Sequence, residues 1–294
     1  MTKDTINGII IKGVGGFYYV KTADALLECR AKGIFRRRGI TPLAGDRVAV
    51  EGLDEAEGFV ISEIYERDNH LSRPPVANVG ALFLVVSTVD PRPNLRVIDE
   101  LTALSAAAGI TPIIALTKTD IAPDDEFRGI YTCAGFEVID TCGDKNAIKR
   151  LRELAKDRVT VFSGNSGAGK STLINSIDPT LTLATGITSK KLGRGKHTTR
   201  SSELFEFAGG YLVDTPGFSS LDFTVDAPIA SRDMISCFPD IAAHAEACAF
   251  ADCSHTVEKG CSVLAALAAG DIEPTRHESY CELYKRAYEA ERKY

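Results

Sequence analysis

The chain has 294 residues, 44% hydrophobic and 25% charged, and its 34 Lys and Arg against 40 Asp and Glu give a formal net charge of −6. That length allows two or three domains with separate cores, and the acidic balance excludes a uniformly basic nucleic-acid coat while leaving local basic patches open. No run is apolar for long enough to span a bilayer, and Met1–Thr5 carries no apolar signal core, so a cytoplasmic, monomeric protein without a membrane partner is expected.

Residues 1–68 form the first expected domain. Gly8–Lys12, Phe17–Lys21, Ala25–Ala31, Asp46–Glu51 and Gly58–Tyr65 are short runs separated by glycine-rich breaks. Five strands in so few residues predict a small OB-type β-barrel of the kind that binds oligonucleotides. Arg36, Arg37 and Arg38, with Lys12, Lys32 and the aromatic Phe17, Tyr18, Tyr19 and Phe35, offer an RNA-binding surface; a solvated loop beside ordinary core aromatics is the competing reading.

Residues 69–225 form the second. Asn69–Ala77 carries two prolines and little periodicity, which suits a linker. Gly80–Ser87 and Pro112–Leu116 read as strands buried on both faces, and Leu95–Ala108 has apolar residues at helical spacing with Gly109 as a stop. Strand Phe136–Ile139, helix Lys145–Ala155 and strand Val159–Phe162 continue an α/β alternation. Ligands of such a domain sit at the C-terminal ends of the strands.

There the chain reads Gly164, Asn165, Ser166, Gly167, Ala168, Gly169, Lys170, Ser171, Thr172, followed by the helical run Leu173–Ile177. Strand, glycine loop, Lys-Ser and helix in that order form a phosphate-cradling loop. Its backbone N–H groups and the helix N-terminus favour anions, Lys170 would reach the β- and γ-phosphates, and Ser171 would ligate Mg²⁺. Downstream, Asp214-Thr-Pro-Gly217 closes a strand of a hairpin: Asp214 would hold the Mg²⁺ shell and the Gly217 amide would contact the γ-phosphate. Upstream, Thr117, Lys118, Thr119 and Asp120 follow a buried strand. A carboxylate there accepts both the N1–H and the exocyclic amine of guanine, a donor pair that adenine lacks. Thr117 stands where such turns carry Asn, and one hydroxyl cannot supply both functions of an amide.

The order is unusual. The base-specifying turn precedes the phosphate loop and Asp214–Gly217 comes last, which is a circular permutation of a GTPase domain. Between them lies the polar stretch Gly193–Thr199, a first switch in which Thr199, with Thr198 as its neighbour, would complete the Mg²⁺ shell. Phe218, next after Gly217, cannot orient water, so His197 is the expected catalytic residue that positions the attacking water; a solvated loop histidine is the plain alternative.

Residues 226–294 form the third expected domain, helical, with Cys248, Cys253, His255 and Cys261 in one loop. Three thiols and one imidazole make a closed tetrahedral set for one structural Zn²⁺. The other five cysteines, Cys29, Cys133, Cys142, Cys237 and Cys281, are expected to be small hydrophobes; together the eight argue for metal and free thiols rather than disulfides.

The barrel, Arg73–Asn78, the permuted motif order, Gly193–Thr199, Asp214–Phe218, Phe238–Ile241 and the cysteine loop together closely resemble the ribosome-small-subunit-dependent GTPase A family of circularly permuted bacterial GTPases. The resemblance covers nearly the whole chain. It implies a late assembly factor that binds GTP and GDP, docks on the small ribosomal subunit and its rRNA near the decoding region, hydrolyses GTP faster there, and then leaves. Thr117, the loop Thr141–Gly143 and Gly80, where an acidic residue is usual, depart from the family pattern. Three other readings stand beside it: a non-catalytic rRNA-binding protein that senses guanine nucleotide, an ATP-dependent enzyme, and a metallochaperone.

Overall fold

A computed structural model describes residues 5–52, 58–181, 202–214 and 229–292. Strands β1 (Thr5–Val14), β2 (Phe17–Lys21), β3 (Leu26–Ala31), β4 (Arg47–Gly52) and β5 (Phe59–Ile64) are ordered β1-β2-β3-β5-β4, and β4 pairs back onto β1. The sheet therefore closes, as expected of five short strands that would otherwise expose two edges. Ile10, Val20, Cys29, Val48, Val50 and Ile61 fill the interior, and Phe35 of the short helix α1 (Gly33–Arg37) is buried with them.

The segment after the barrel differs from the linker expected of its prolines. β6 (His70–Ser72) and β7 (Pro75–Ala77) form a hairpin whose Leu71, Val76 and Ala77 are wholly buried. The prolines flank alternating apolar residues, and that alternation outweighs them. Arg67 donates to both oxygens of buried Asp46 at 2.7 and 2.9 Å, and Asn78 Nδ2 donates to Gly45 O at 2.9 Å. The barrel is thus fastened to the next layer.

That layer contains β8 (Val79–Ser87), α2 (Leu95–Ala107), β9 (Pro112–Thr117), α3 (Asp125–Cys133), β10 (Glu137–Asp140), α4 (Lys145–Ala155), β11 (Val159–Ser163), α5 (Lys170–Ile177), β12 (Glu203–Phe207) and β13 (Gly210–Asp214). The sheet runs β10-β9-β8-β11-β13-β12, parallel except for β12. One apolar core lies under α2 and α3, the other under α4 and α5. Helix α3 is absent from the sequence reading, although Asp124 caps it through Phe127 N and Phe127, Ile130 and Tyr131 give it one buried face. Because the five parallel strands end on one edge, Ser87, Thr117, Asp140, Ser163 and Asp214 all arrive there.

Two further junctions complete the frame. β1 pairs with β12 at Lys12–Glu203, where the side chains form an ion pair at 3.1 Å, and Lys21 meets Glu206 at 3.4 Å. Among the described residues, eleven strands therefore make one continuous sheet. C-terminal to it come a 3₁₀ helix (Ser231–Cys237), α6 (Pro239–Ala242), α7 (Ser262–Ala269) and α8 (Pro274–Glu291).

Arg276 of α8 has no exposed surface. Its guanidinium donates to Asp99 of α2 at 2.8 Å and to both oxygens of Asp240 at 2.7 and 3.0 Å, and it stacks 4.8 Å from the Phe238 ring centroid. Tyr131 of α3 donates to the same Asp99 oxygen at 2.9 Å. Burial raises the Tyr131 phenol far above its usual range, and the Asp99 charge adds to that; the phenol stays a donor. Removing one partner of a buried ion cluster costs about 3–5 kcal/mol because the others remain charged and unpaired. Arg276→Ala is therefore expected to lower the urea midpoint of the C-terminal helices well below that of the barrel, read by limited proteolysis across a urea series.

Candidate functional site

The loop between β11 and α5 is shaped by the atoms under it. Gly164 has φ +152°, and a Cβ there would sit 2.3 Å from Val85 O. Only glycine lets the backbone press onto β8 at that point. Gly169, at φ +95°, turns the chain into α5, whose first residue is Lys170. Lys170 is 7% exposed, and its ammonium donates to Gly164 O at 2.6 Å and Asn165 O at 2.8 Å. Burial pulls its pKa down to about 8. Asn165 is half-buried, Ser166 and Gly167 are exposed, Ala168 is buried, and Ser171 and Thr172 stand on the first turn of α5.

The turn Thr117–Asp120 lies beside this loop. Thr117 Oγ1 donates to Ala168 O at 2.6 Å, a bond across 51 positions of sequence. A single hydroxyl does part of what an Asn amide would do: it ties the two loops together and leaves no second donor. Lys118, at φ +61°, sends its ammonium to Asp90 O. Thr119 Oγ1 donates to Asp140 at 2.6 Å. Asp120 is exposed, and among the described residues its carboxylate has no partner. Three residues of the turn are anchored and the fourth is presented to solvent. The anchors from Asp90 and Asp140 were not read from the sequence, since no spacing rule links those positions.

Asp214 ends β13, next to β11 on the same edge as the glycine loop. Its side chain, together with His197, Thr198, Thr199, Gly217 and Phe218, lies outside the described residues. At Gly80, a Cβ would meet the Arg158 stem at 3.1 Å, a tight contact that the stem would have to yield to.

On the barrel, Arg36 and Arg37 occupy the last turn of α1 and Arg38 caps it; all three are exposed. Arg36 lines a cleft of about 420 Å³ together with Arg30, Lys32, Tyr18 and Ile40. Arg30 also lies 5.0 Å from the Phe17 ring centroid. Lys32 is paired to Glu51 at the cleft's edge, and Lys12, paired to Glu203, does not line the cleft.

The cysteine loop closes as the residue types predict. Ligand atoms of Cys248, Cys253, His255 and Cys261 lie within 4.8 Å of one another, a group that could hold a metal ion. Cys248 Sγ is 3.9 Å from Cys261 Sγ and 3.4 Å from His255 Nδ1, and Cys261 Sγ is 3.6 Å from the same nitrogen. A tetrahedral ion with metal–sulfur bonds of about 2.3 Å keeps its sulfurs about 3.8 Å apart, so these edges fit. Burial opposes ionisation of Cys248, but the Ser262 hydroxyl and N–H outweigh it and hold the thiol below its ordinary range. Burial also lowers His255, which favours the neutral imidazole a metal needs. Glu258 braces the loop: it accepts from the Ser254 hydroxyl and from the Ser254, Thr256 and Val257 backbone N–H groups, and such bonds, the Ser254 hydroxyl's first among them, overcome burial to draw it down to about 2. His277 lies 2.8 Å from His255 O through Nε2, and Tyr280 donates to Ser254 O at 2.8 Å.

The model of the RsgA GTPase family matches residues 64–224, and that of the RsgA N-terminal domain matches residues 7–60. The chain belongs to the RsgA GTPase family. It is accordingly a GTP hydrolase by class, with a five-stranded barrel ahead of a circularly permuted GTPase domain. Small ribosomal subunit biogenesis GTPase RsgA of Bacillus velezensis is 41% identical over 297 residues, covering 98% of this chain and 99% of that protein. The protein of the same name from Geobacillus thermodenitrificans is 41% identical over 294 residues, with the same coverage. Among solved structures, YloQ, described as a circularly permuted GTPase, matches with TM-score 0.78 at 33% identity, covering 98% of this chain and 96% of that one. YjeQ from Thermotoga maritima matches with TM-score 0.79 at 27% identity, covering 97% and 99%.

If the four ligands close on one ion, chelation removes the bonds that would join them and leaves the loop to its hydrogen bonds with Glu258, His277 and Tyr280. Dialysis against a strong chelator is expected to release about one equivalent of metal per chain, expose three further reactive thiols and reduce helical circular dichroism, while the barrel and central sheet persist.

Proposed function

We propose that this chain is a guanine-nucleotide switch that assists assembly of the small ribosomal subunit and hydrolyses GTP faster when bound to it. Support comes from its family, from relatives named for small-subunit biogenesis, and from one geometric observation. That observation is the unpartnered Asp120 carboxylate, held on an anchored turn whose Thr117 touches the glycine loop. A phosphate site and a carboxylate suited to guanine are thereby fixed relative to each other.

In this reading Gly164, Asn165, Ser166, Gly167, Ala168 and Gly169 present backbone N–H groups to the phosphates. Lys170 releases its two carbonyl acceptors and moves to the β- and γ-phosphate oxygens, which restores a full counter-charge to the ammonium. Ser171, Asp214 and Thr199 are the residues that would hold Mg²⁺, which when bound neutralises charge on the transferring phosphoryl group. Thr172 supports the loop, Gly217 would sense the γ-phosphate, Lys118 and Thr119 frame the base pocket, and His197 would position the attacking water. Cys248, Cys253, His255 and Cys261 would hold one structural zinc. The three domains would divide at residues 1–68, 69–225 and 226–294, with Arg36, Arg37 and Arg38 meeting rRNA phosphates. The protein would act as a cytoplasmic monomer; among the described residues no helix is long and apolar enough to cross a membrane.

Phosphate release measured at a fixed enzyme concentration, with purified small and large subunits added separately, tests the reading. Stimulation of at least about tenfold by small subunits alone is expected for a switch whose catalytic loop is completed in trans. No stimulation by either subunit would favour a protein that binds nucleotide without turning it over. A second measurement addresses the tether. Thr117→Val keeps the side-chain volume, but leaves the Ala168 carbonyl without its donor, and is expected to speed GDP release by about five- to tenfold, on the scale of one lost hydrogen bond.

A further inference from the structure

Asp140 lies at the end of β10, outside the glycine loop and the base-specifying turn. One of its oxygens, Oδ1, accepts from Thr119 Oγ1 at 2.6 Å and from the Cys142 N–H at 3.0 Å. The other, Oδ2, accepts from Arg128 of α3 at 2.9 Å. A single carboxylate thus joins three things: the turn carrying Asp120, the loop after β10, and a helix. Thr119 is the immediate neighbour of Asp120, and the turn closes there through Ile121 N to Lys118 O at 3.0 Å. A carboxylate that must meet two donors of one base edge at once depends on its backbone being held to a fraction of an ångström.

We propose that Asp140 is a positioning residue for guanine selection: held by Arg128, it anchors Thr119 and so aims the Asp120 carboxylate at the base. The inference rests on the reading of Asp120 as the guanine-specifying group. It assigns selectivity to a side chain that does not touch the nucleotide. It also gives α3 a role, because the arginine that pairs with Asp140 comes from that helix. Without Asp140, the Thr119 hydroxyl and the Cys142 N–H lose their acceptor, and the remaining links of the turn, to Ala168, Thr88 and Asp90, are all made through Thr117 or Lys118.

The test compares GDP with IDP, which lacks the exocyclic amine, by calorimetric titration of the full-length protein. Wild type is expected to prefer GDP. Asp140→Ala should reduce the GDP-to-IDP affinity ratio by about tenfold, because the bond to the exocyclic amine is the one most sensitive to aim. Thr119→Val, which removes the other end of the contact with almost no change in volume, should reproduce that loss, and the double variant should add little to either. Asp140→Asn, which keeps an acceptor but not the charge facing Arg128, should fall between wild type and Asp140→Ala. Equal weakening of GDP and IDP in Asp140→Ala and Thr119→Val, with the ratio unchanged, would show a merely structural contact and overturn the proposal. A separate arm tests the reading beneath it. Asp120→Asn should exchange preference for GDP for preference for XDP, whose C2 carbonyl suits an amide. Failure of that exchange would sink the guanine reading itself, whereas success with an unchanged Asp140→Ala ratio would sink only the positioning role.

Discussion

A guanidinium with no exposed surface has to be surrounded by acceptors, and in this chain that requirement decides how the C-terminal helices sit. Arg276 satisfies it with Asp99 from α2 and Asp240 from α6, while Phe238 covers its face. Burial opposes the charge and the two carboxylates outweigh it, so the cluster exists only when all three elements are in place. α2 follows directly on β8, the strand beneath the glycine loop. The C-terminal helices are therefore fixed to the central sheet by a buried charged node, with the outer ion pairs Arg96–Glu282 and Arg286–Glu100 beside it, as well as by apolar packing.

The barrel is attached on another principle. β1 leaves its partner β4 and pairs with β12, and the ion pairs Lys12–Glu203 and Lys21–Glu206 sit on that seam. β12 and β13 are the hairpin that leads into Asp214. Any shift of that hairpin is felt by the barrel through backbone hydrogen bonds, and any shift of α2 by the C-terminal module through Arg276. The barrel and the C-terminal helices thus take their positions from two different parts of one central sheet, so a change in that sheet is felt on both sides.

Much of this was legible before any coordinates. The barrel strands, the buried strands β8 and β9, the glycine loop and the Cys₃His group follow from short-range periodicity and from residue types whose chemistry leaves few choices. What escaped depends on contacts between distant positions. The hairpin His70–Ala77 looks like a linker because prolines dominate its composition, yet Leu71 and Val76 belong to the central core. Helix α3 is short and polar on one side, so its three buried positions carry too weak a signal to stand out. Asp140 and Asp90 acquire meaning only when folding brings them to Thr119 and Lys118, and no local pattern announces that.

Thr117 shows how residue type and position trade against each other. Read alone, a threonine at that point is a loss, because it has one donor where an amide has two. In the fold its hydroxyl points to Ala168, so what is retained is the link between the Thr117–Asp120 turn and the glycine loop. The permutation makes that bond more necessary. The turn and the loop are separated by two helices and two strands, and no short connection holds them together. Parallel strands bring both to one edge, but strand ends alone leave each loop free to tilt. A hydrogen bond 2.6 Å long between them removes that freedom. The chain can therefore present its motifs in permuted order, because their relative geometry is set by the sheet edge and by this contact rather than by their sequence.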